Sequence, residues 1–172
     1  EPSPRAGGGA GAAPLAPVAA AANAAAGDVR LDGRLDEPAW AEAAAIGPLT
    51  QTEPDEGVPP SEATEVRVLV GADALYVGLR CFDREPARIV ATKLGRDAEL
   101  GGDDHVLVVL DTFGDRRNGF FFGVTPRGAR AEGQIANNSE SLNFDWDGIW
   151  DAAARIDGEG WTAELQIPWK TL

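Results

Sequence analysis

The sequence Asp103-Asp104-His105 places two carboxylates beside the single histidine of the chain. Such a cluster could hold a metal ion or perform acid–base chemistry, because carboxylates and imidazole serve both purposes. The apolar run that follows predicts a strand, and neighbouring residues of a strand point to opposite faces. At most one of the two carboxylates can therefore share a pocket with His105. We interpret the cluster as the charged entrance of a strand and predict no catalytic residue in it.

Other catalytic machinery is equally hard to assemble from this sequence. With one histidine and no serine-containing nucleophile elbow, a hydrolytic triad lacks its parts. The glycines lie in turns, and none forms a phosphate-binding loop ahead of a helix. Two carboxylates suffice for a glycosidase, but 28 Asp and Glu residues supply such pairs by chance. We expect this segment to be non-catalytic.

Four of the 5 tryptophans lie between residues 146 and 169. Trp161 falls on the apolar face of a predicted strand, which places it in the core. Trp146 and Trp150 instead follow an asparagine-rich loop that begins at Asn137. An exposed indole beside amide and carboxylate groups can hold a sugar, because the ring stacks on the pyranose while polar groups bond its hydroxyls. Packing in the core is the alternative, and the residue pattern alone favours it.

Oxygen-bearing side chains also cluster in the predicted loops and could bind calcium. They are Asp111, Asp115, Asn137, Asn138, Asp145 and Asp147. Their spacing differs from the regular spacing of an EF-hand, and solvated turn residues are the simpler interpretation. The sequence requires no cofactor, and it leaves a structural calcium ion open.

Net charge and composition exclude several kinds of partner and structure. The formal net charge of −13 repels polyphosphate, so we expect no nucleic-acid partner. Cys81 is the single cysteine, which rules out an intrachain disulfide and predicts a buried, inert thiol in a strand. No run approaches the roughly 18 consecutive apolar residues of a membrane helix.

Two regions differ sharply in composition. Residues 1–27 are almost entirely Ala, Gly and Pro, which predicts a disordered tail or linker, with the end of a secretory signal as the alternative. Residues 28–172 have the composition of a folded domain, beginning with a short helix over 37–46 that buries Trp40. A polar loop, NNSESLNFD, is expected near its end.

Alternating apolar residues predict about seven short strands in the folded region. They fall at 64–70, 75–81, 106–110, 120–124, 129–135, within WDGIWDAAARI (146–156), and at 160–167. Turns separate them every 8 to 12 residues or so, as in sandwich folds. We therefore predict an all-β protein, an antiparallel, jelly-roll-like β-sandwich with one short N-terminal helix.

Four blocks of sequence, in this order, resemble the family 9 carbohydrate-binding modules. They are LDGRLDEPAW, TEVRVLVGADALYVGLRCFD, GDDHVLVVLDTFGDRRNGFFFGVTPRG and GWTAELQIPWKTL. More narrowly, the chain is similar to the amino-terminal module of bacterial envelope proteins in which this domain precedes a predicted outer-membrane β-barrel. The resemblance covers residues 29–172 and implies a β-sandwich, in agreement with the strand pattern.

The resemblance also implies a function in carbohydrate catabolism, with a full-length protein that is associated with glycoside hydrolysis. It implies a module that attaches a larger envelope protein or glycoside hydrolase to saccharide of the xylan or glucan type, with calcium as a structural ion. Its carbohydrate-binding residues would be Trp146, Trp150, Asp103 and Asn137. It further implies export to the periplasm, the outer membrane or the medium.

The chain departs from the sugar-binding members at two places. Those members hold a sugar between two tryptophans, one of them just ahead of the block GDDHVLVVLD, where this chain reads RDAELGG. Gly123 and Thr125 stand where binding members tend to have longer polar side chains. The alternative is therefore a structural or interaction domain that has lost sugar binding and packs against a downstream β-barrel domain of the same chain.

Overall fold

The computed structural model describes residues 20–25 and 27–172, which form two β-sheets packed face to face. In chain order the strands are β1 (Ala22–Asn23), β2 (Thr64–Val70), β3 (Ala74–Phe82), β4 (Val106–Leu110), β5 (Gly119–Val124), β6 (Arg130–Ala136), β7 (Ser141–Asn143), β8 (Asp151–Asp157) and β9 (Gly160–Pro168). One sheet has the order β1-β2-β3-β9-β8 and the other the order β4-β5-β6-β7. The predicted all-β sandwich is confirmed.

The strands pair antiparallel except for β1, which lies parallel to β2. The predicted strands at 64–70 and 75–81 form a hairpin as β2 and β3, and β9 returns from the end of the chain to pair with β3 along its whole length. Alternate residues of each strand point inward. Val77 and Leu165, directly opposite each other, and Phe122 from the second sheet are almost completely buried between the layers.

The four-stranded sheet is apolar on both of its faces. On β4, Val106, Val108 and Leu110 pack into the core, whereas Leu107 and Val109 point outward and are exposed. On β5, Phe120, Phe122 and Val124 face the core. By the alternation of the strand, Phe121 then faces outward beside Leu107 and Val109. The outer face of this sheet is where the candidate site lies.

The outer face of the five-stranded sheet is covered by the N-terminal segment. The helix α1 (Pro38–Glu42) sets Trp40 on the sheet at Gly78, where an added Cβ would approach the indole Cζ3 to 2.9 Å. Glu164 on β9 is completely buried beneath this segment. Its carboxylate accepts hydrogen bonds from the Trp40 indole (3.1 Å) and from the backbone N–H groups of Asp32 (2.9 Å) and Gly33 (2.8 Å). Burial raises the pKa of Glu164 despite these three donors.

Helix α1 is shorter than predicted, because it ends at Glu42 rather than near residue 46. The chain turns extended at Ala43, and the backbone N–H of Ile46 donates a 2.7 Å hydrogen bond to the carbonyl of Val66 on β2. Tertiary pairing with the sheet therefore overrides the local helical pattern.

Two short strands lie where the sequence predicts none. β1 falls inside the predicted tail of residues 1–27, and Ala24 beside it is buried in a small cluster with Trp40 and Leu69. The tail prediction weighed side-chain area, which is small here, whereas β1 is held by backbone hydrogen bonds to β2. β7 lies in the predicted polar loop and pairs with β6. Residues 1–19 and 26 of the predicted tail lie outside the described residues.

Cys81 is buried in the core, as the strand pattern predicts, and burial raises the pKa of its thiol to about 11. Within residues 20–25 and 27–172, no helix has the length and apolar character that crossing a membrane requires.

Candidate functional site

A groove of about 730 Å³ runs across the outer face of the four-stranded sheet. Its floor and walls are formed by Leu100, Leu107, Val109, Phe121, Ala131, Ile135, Leu142 and Phe144, and its rim carries Asp97, Glu99, His105 and Ser139. The volume lies within the range of small-molecule sites, roughly 300–1,000 Å³. This groove, which we call the sheet groove, is the candidate site.

The aromatic part of the sheet groove consists of two phenylalanines. Phe121 is buried, and its ring meets that of Phe144 edge to face at a centroid distance of 5.6 Å. Phe144 itself is 65% exposed, so a large part of its ring is open to a ligand. An exposed ring supported by a buried one is a suitable platform for stacking.

Leu100 closes one part of the floor. It is buried although it belongs to the loop ahead of β4, and its Cδ1 occupies the space that a Cβ at Gly123 would need. Leu107 lies beside it, 2.8 Å from the same position. Glycine at 123 thus makes room for two leucines, at the position where the resemblance implies a longer polar side chain. The floor is aliphatic here as a result.

The exposed polar groups of the groove lie at its rim, and the buried Glu132, which also lines the groove, is paired with Arg96. His105 Nδ1 lies 2.8 Å from the carbonyl oxygen of Asp103. A carbonyl oxygen can only accept, so Nδ1 carries the proton and Nε2 remains for another partner. Asp97 and Glu99 add two carboxylates on one loop, and Ser139 adds a hydroxyl from the β6–β7 turn.

The loop that carries Asp97 and Glu99 is fixed to the sheet. Ala98 N–H donates to the Arg130 carbonyl (3.1 Å), and Arg130 N–H donates to the Gly95 carbonyl (3.0 Å). The Arg96 guanidinium contacts the buried carboxylate of Glu132 and the exposed carboxylate of Asp147. These bonds preorganise the acidic side of the rim.

The two tryptophans predicted to bind sugar lie on the other side of β5 from the sheet groove. Trp150 is 6% exposed, and its ring meets that of Phe122 at a centroid distance of 5.2 Å. Trp146 is partly buried and packs on Phe120 at 4.6 Å and on Phe122 at 6.1 Å. The structure therefore brings Trp146 and Trp150 together, as part of the core packing. The most exposed indole of the chain is instead that of Trp169, at 40%.

Asp103 and Asn137 lie apart from that pair, with no hydrogen bond to either tryptophan in the described part of the chain. Asp103 is buried, and its carboxylate accepts bonds from the Thr92 hydroxyl (2.7 Å) and from the backbone N–H groups of Thr92 (2.6 Å) and Lys93 (2.7 Å). These donors hold the pKa of Asp103 below its ordinary value. Asn137 is exposed in the β6–β7 turn at a φ of 53°. Its role and that of the other three residues in sugar binding stay predictions.

Two of the six residues considered for calcium, Asp111 and Asp115, accept hydrogen bonds within a turn. Asp111 accepts from the N–H of Arg116 (2.8 Å), and Asp115 accepts from the N–H of Arg117 (2.8 Å) and of Asn118 (2.8 Å). Among the described residues, no group of three or more His, Cys, Asp or Glu side chains could hold a metal ion. A structural calcium ion stays a prediction.

The sequence analysis missed the sheet groove, although the sequence contains a signal for it. The runs VLVVL (106–110) and FFF (120–122) are apolar at consecutive positions. A half-exposed antiparallel strand alternates, so a continuous apolar run in such a strand marks a sheet that is apolar on both faces. Outward apolar residues on adjacent strands then indicate a binding face.

Two solved structures of known proteins have a similar fold. No protein-family model and no curated protein matches the sequence. A family 9 carbohydrate-binding module from Caldicellulosiruptor kristjanssonii, solved in complex with cellotriose, is similar with a TM-score of 0.57 and 16% identity, over 87% of this chain and 67% of that one. A crystal structure from Bacteroides uniformis ATCC 8492, named "putative carbohydrate-binding protein", is similar with a TM-score of 0.60 and 13% identity, over 88% and 75% of the two chains. The resemblance inferred from the four sequence blocks is confirmed at the level of fold: this chain has the β-sandwich fold of a family 9 carbohydrate-binding module.

Proposed function

We propose that this chain is a non-catalytic carbohydrate-binding domain that takes a saccharide into the sheet groove. The observation that carries the proposal is the open ring of Phe144 in a groove with a polar rim. The fold adds support, because a similar sandwich is known in complex with cellotriose.

The chemistry of the groove suits a pyranose. A sugar ring has a face of C–H groups that stacks on an aromatic ring, and hydroxyls around its edge that need hydrogen-bond partners. Phe144 provides the ring. The carboxylates of Asp97 and Glu99 accept bonds from hydroxyls, and His105 Nε2 can do the same because Nδ1 is already engaged.

The rim carboxylates are placed for binding rather than for hydrolysis. Glycosidases set two carboxyl groups on opposite sides of the scissile bond. Asp97 and Glu99 instead lie two residues apart on one loop. We therefore assign them to hydroxyl recognition and assign no catalytic step to this domain.

The test is calorimetric titration with cellotriose and xylotriose, with and without calcium. Phe144→Ala should weaken saccharide binding at least about tenfold, which corresponds to roughly 1.4 kcal/mol. Phe113→Ala is the matched control, because Phe113 is also 65% exposed but lies outside the sheet groove. Absence of heat with every saccharide, or equal loss in both variants, would contradict the proposal.

The same titration decides between the sheet groove and the residues predicted from sequence. Asn137→Ala changes an exposed turn residue and should leave the fold intact. If the saccharide occupies the sheet groove, Asn137→Ala binds it as the unmodified protein does. A loss of binding in Asn137→Ala with none in Phe144→Ala would place the sugar at the β6–β7 turn instead of on Phe144.

The proposal extends to the setting of the domain. We propose that it belongs to an exported envelope protein or glycoside hydrolase and attaches that protein to polysaccharide of the xylan or glucan type, with calcium as a structural ion. Cell fractionation of the native host would test export. A shift in melting temperature on calcium addition, reversed by chelation, would test the ion.

A second candidate function is an interaction domain that packs against another part of the same protein, such as a downstream domain. The exposed apolar side chains of Leu107, Val109, Leu142 and Phe144 favour it, because contiguous apolar patches mark interfaces. Hydrogen exchange of the full-length protein would separate the two functions. Protection of β4 and β7 without saccharide supports the interface, and protection only on saccharide addition supports the binding domain.

A further inference from the structure

The floor of the sheet groove offers almost no hydrogen-bonding side chain to a ligand. The outward positions of β4 and β5 are Leu107, Val109, Phe121 and Gly123, and Leu100 covers the last of them. The facing strands add Ala131, Ile135 and Leu142. A ligand that reaches the floor therefore meets mostly apolar side chains.

An unsubstituted sugar fits such a floor poorly. A hydroxyl that leaves water without finding a partner loses the free energy of its hydrogen bonds, whereas a carbon-rich group gains from the same burial. The exposed hydrogen-bonding side chains lie at the rim, on Asp97, Glu99, His105 and Ser139. The one further carboxylate of the lining, Glu132, is buried and paired with Arg96. The groove thus has a polar rim that suits the hydroxyls of a ligand and an apolar floor that suits a carbon-rich group of the same ligand.

The charge of the groove limits which chemical group can occupy its apolar part. Asp97 and Glu99 stand at the rim, and the chain as a whole carries a net charge of −13. Uronates, sulfated sugars and phosphate esters would meet like charges at the point of entry, which weakens their binding. A neutral substituent meets no such penalty.

Resting on the proposed carbohydrate-binding function, we infer that the sheet groove selects saccharides that carry a neutral, carbon-rich substituent, such as an aryl or acyl group. The sugar hydroxyls bind at the rim, and the C–H face of the sugar ring stacks on Phe144. The substituent lies on the floor between Leu107 and Leu142. Decorated plant polysaccharides and aryl glycosides share this chemistry.

The experiment compares three defined ligands by calorimetry: phenyl β-D-glucoside, methyl β-D-glucoside and phenyl β-D-glucuronide. We expect the phenyl glucoside to bind at least tenfold more tightly than the methyl glucoside. The glucuronide should bind more weakly than the phenyl glucoside, and that difference should shrink at high salt because screening reduces repulsion.

Substitution of the floor should remove the preference selectively. Leu142→Ser places a hydroxyl on an exposed strand position of the floor and should reduce the ratio of phenyl to methyl glucoside affinity at least threefold, because the substituent loses apolar contact. Leu94→Ser is the matched control, because Leu94 is exposed outside the groove.

The outcomes separate this inference from the function on which it rests. Equal affinity for phenyl and methyl glucosides, with cellotriose bound, would overturn the selectivity and leave carbohydrate binding standing. Absence of binding to cellotriose and to all three glycosides would overturn both. A phenyl preference that survives Leu142→Ser and is lost in Leu94→Ser would place the substituent outside the sheet groove and overturn the inference.

Discussion

The indole Nε1 of Trp40 donates a 3.1 Å hydrogen bond to Oε1 of Glu164, which joins the N-terminal helix to the last strand across 124 residues of sequence. Both side chains are almost completely buried. The contact shows how the N-terminal segment is fastened to the sandwich: a single carboxylate collects one side-chain donor and two backbone donors from it.

Removal of that carboxylate should be costly. Glu164→Ala leaves the Trp40 indole and the N–H groups of Asp32 and Gly33 without their acceptor, and each unsatisfied buried donor costs about 1–3 kcal/mol. We expect the free energy of unfolding, measured in urea, to fall by at least about 3 kcal/mol. Glu159→Ala, which removes an exposed partner of Arg80, should cost about 1 kcal/mol or less. Equal losses in the two variants would contradict this account.

The contact between Arg96 and Glu132 should be worth more than a surface ion pair. Glu132 is buried, and its Oε2 has no hydrogen-bond partner in the described residues, so Arg96 is its compensating charge. Arg96→Ala should lower the free energy of unfolding by about 2 kcal/mol, less than for a fully buried pair because Arg96 is partly exposed.

The matched control for Arg96 is Arg88→Ala, which breaks an exposed pair with Glu85 and should cost less than about 1 kcal/mol. The double variant Arg96→Ala/Glu132→Gln should recover part of the loss, because the buried charge is then gone. No recovery in the double variant would show that Arg96 acts through its other contacts.

Leu100 should contribute to stability although it lies in a loop. It is buried over Gly123, so Leu100→Ala opens a cavity in the floor of the sheet groove and should cost roughly 2–4 kcal/mol. Leu94→Ala, in the same loop, removes a side chain that is 65% exposed and should change stability by less than about 0.5 kcal/mol. Chemical unfolding monitored by circular dichroism measures both, and similar values would show that Leu100 is not packed as described.

Asp103 should make the domain sensitive to acid. The Thr92 hydroxyl and the N–H of Lys93 hold the pKa of Asp103 below its ordinary value of 3.8, so the unfolded chain binds the proton more tightly. The stabilisation is therefore present above about pH 3.8 and is lost as the pH falls through the folded pKa. Asp103→Asn should destabilise the domain at pH 7 and differ less from the unmodified protein below pH 3.

Urea unfolding at a series of pH values between about 2 and 7 measures that difference. Glu56→Gln, an exposed loop substitution, should follow the unmodified protein throughout. A constant gap between Asp103→Asn and the unmodified protein would mean that the carboxylate is not held in its charged form by these donors.

Most strands could be predicted because apolar, inward-facing residues recur at every second position of the sequence. On β9, Trp161, Ala163, Leu165 and Ile167 are buried, as the period of two in GWTAELQI indicates. β1 and β7 could not be predicted in this way. They consist of two and three residues, and their place is decided by backbone pairing with β2 and β6 rather than by side-chain pattern.

The candidate site was less accessible to sequence reasoning than the fold. Tryptophan and asparagine side chains are common in sugar-binding sites, so the sequence predicts that Trp146, Trp150 and Asn137 bind sugar. The fold instead buries Trp150 against Phe122 and builds a groove from apolar residues. Leu100 and Phe144 both line the groove because the loop ahead of β4 and the segment after β7 come to the same sheet face, and no local spacing in the sequence encodes that arrangement.

The alternation of β4 and β5 divides neighbouring residues between two tasks. Val106, Val108 and Leu110 pack against the core. Leu107 and Val109, which alternate with them, are exposed on the outer face and are free to contact a ligand or partner. Mutational drift at the outward positions can therefore change recognition while the sandwich persists. For an engineer, the same five-residue strand is a ready place to randomise a combinatorial library, since every second codon can vary without repacking the interior.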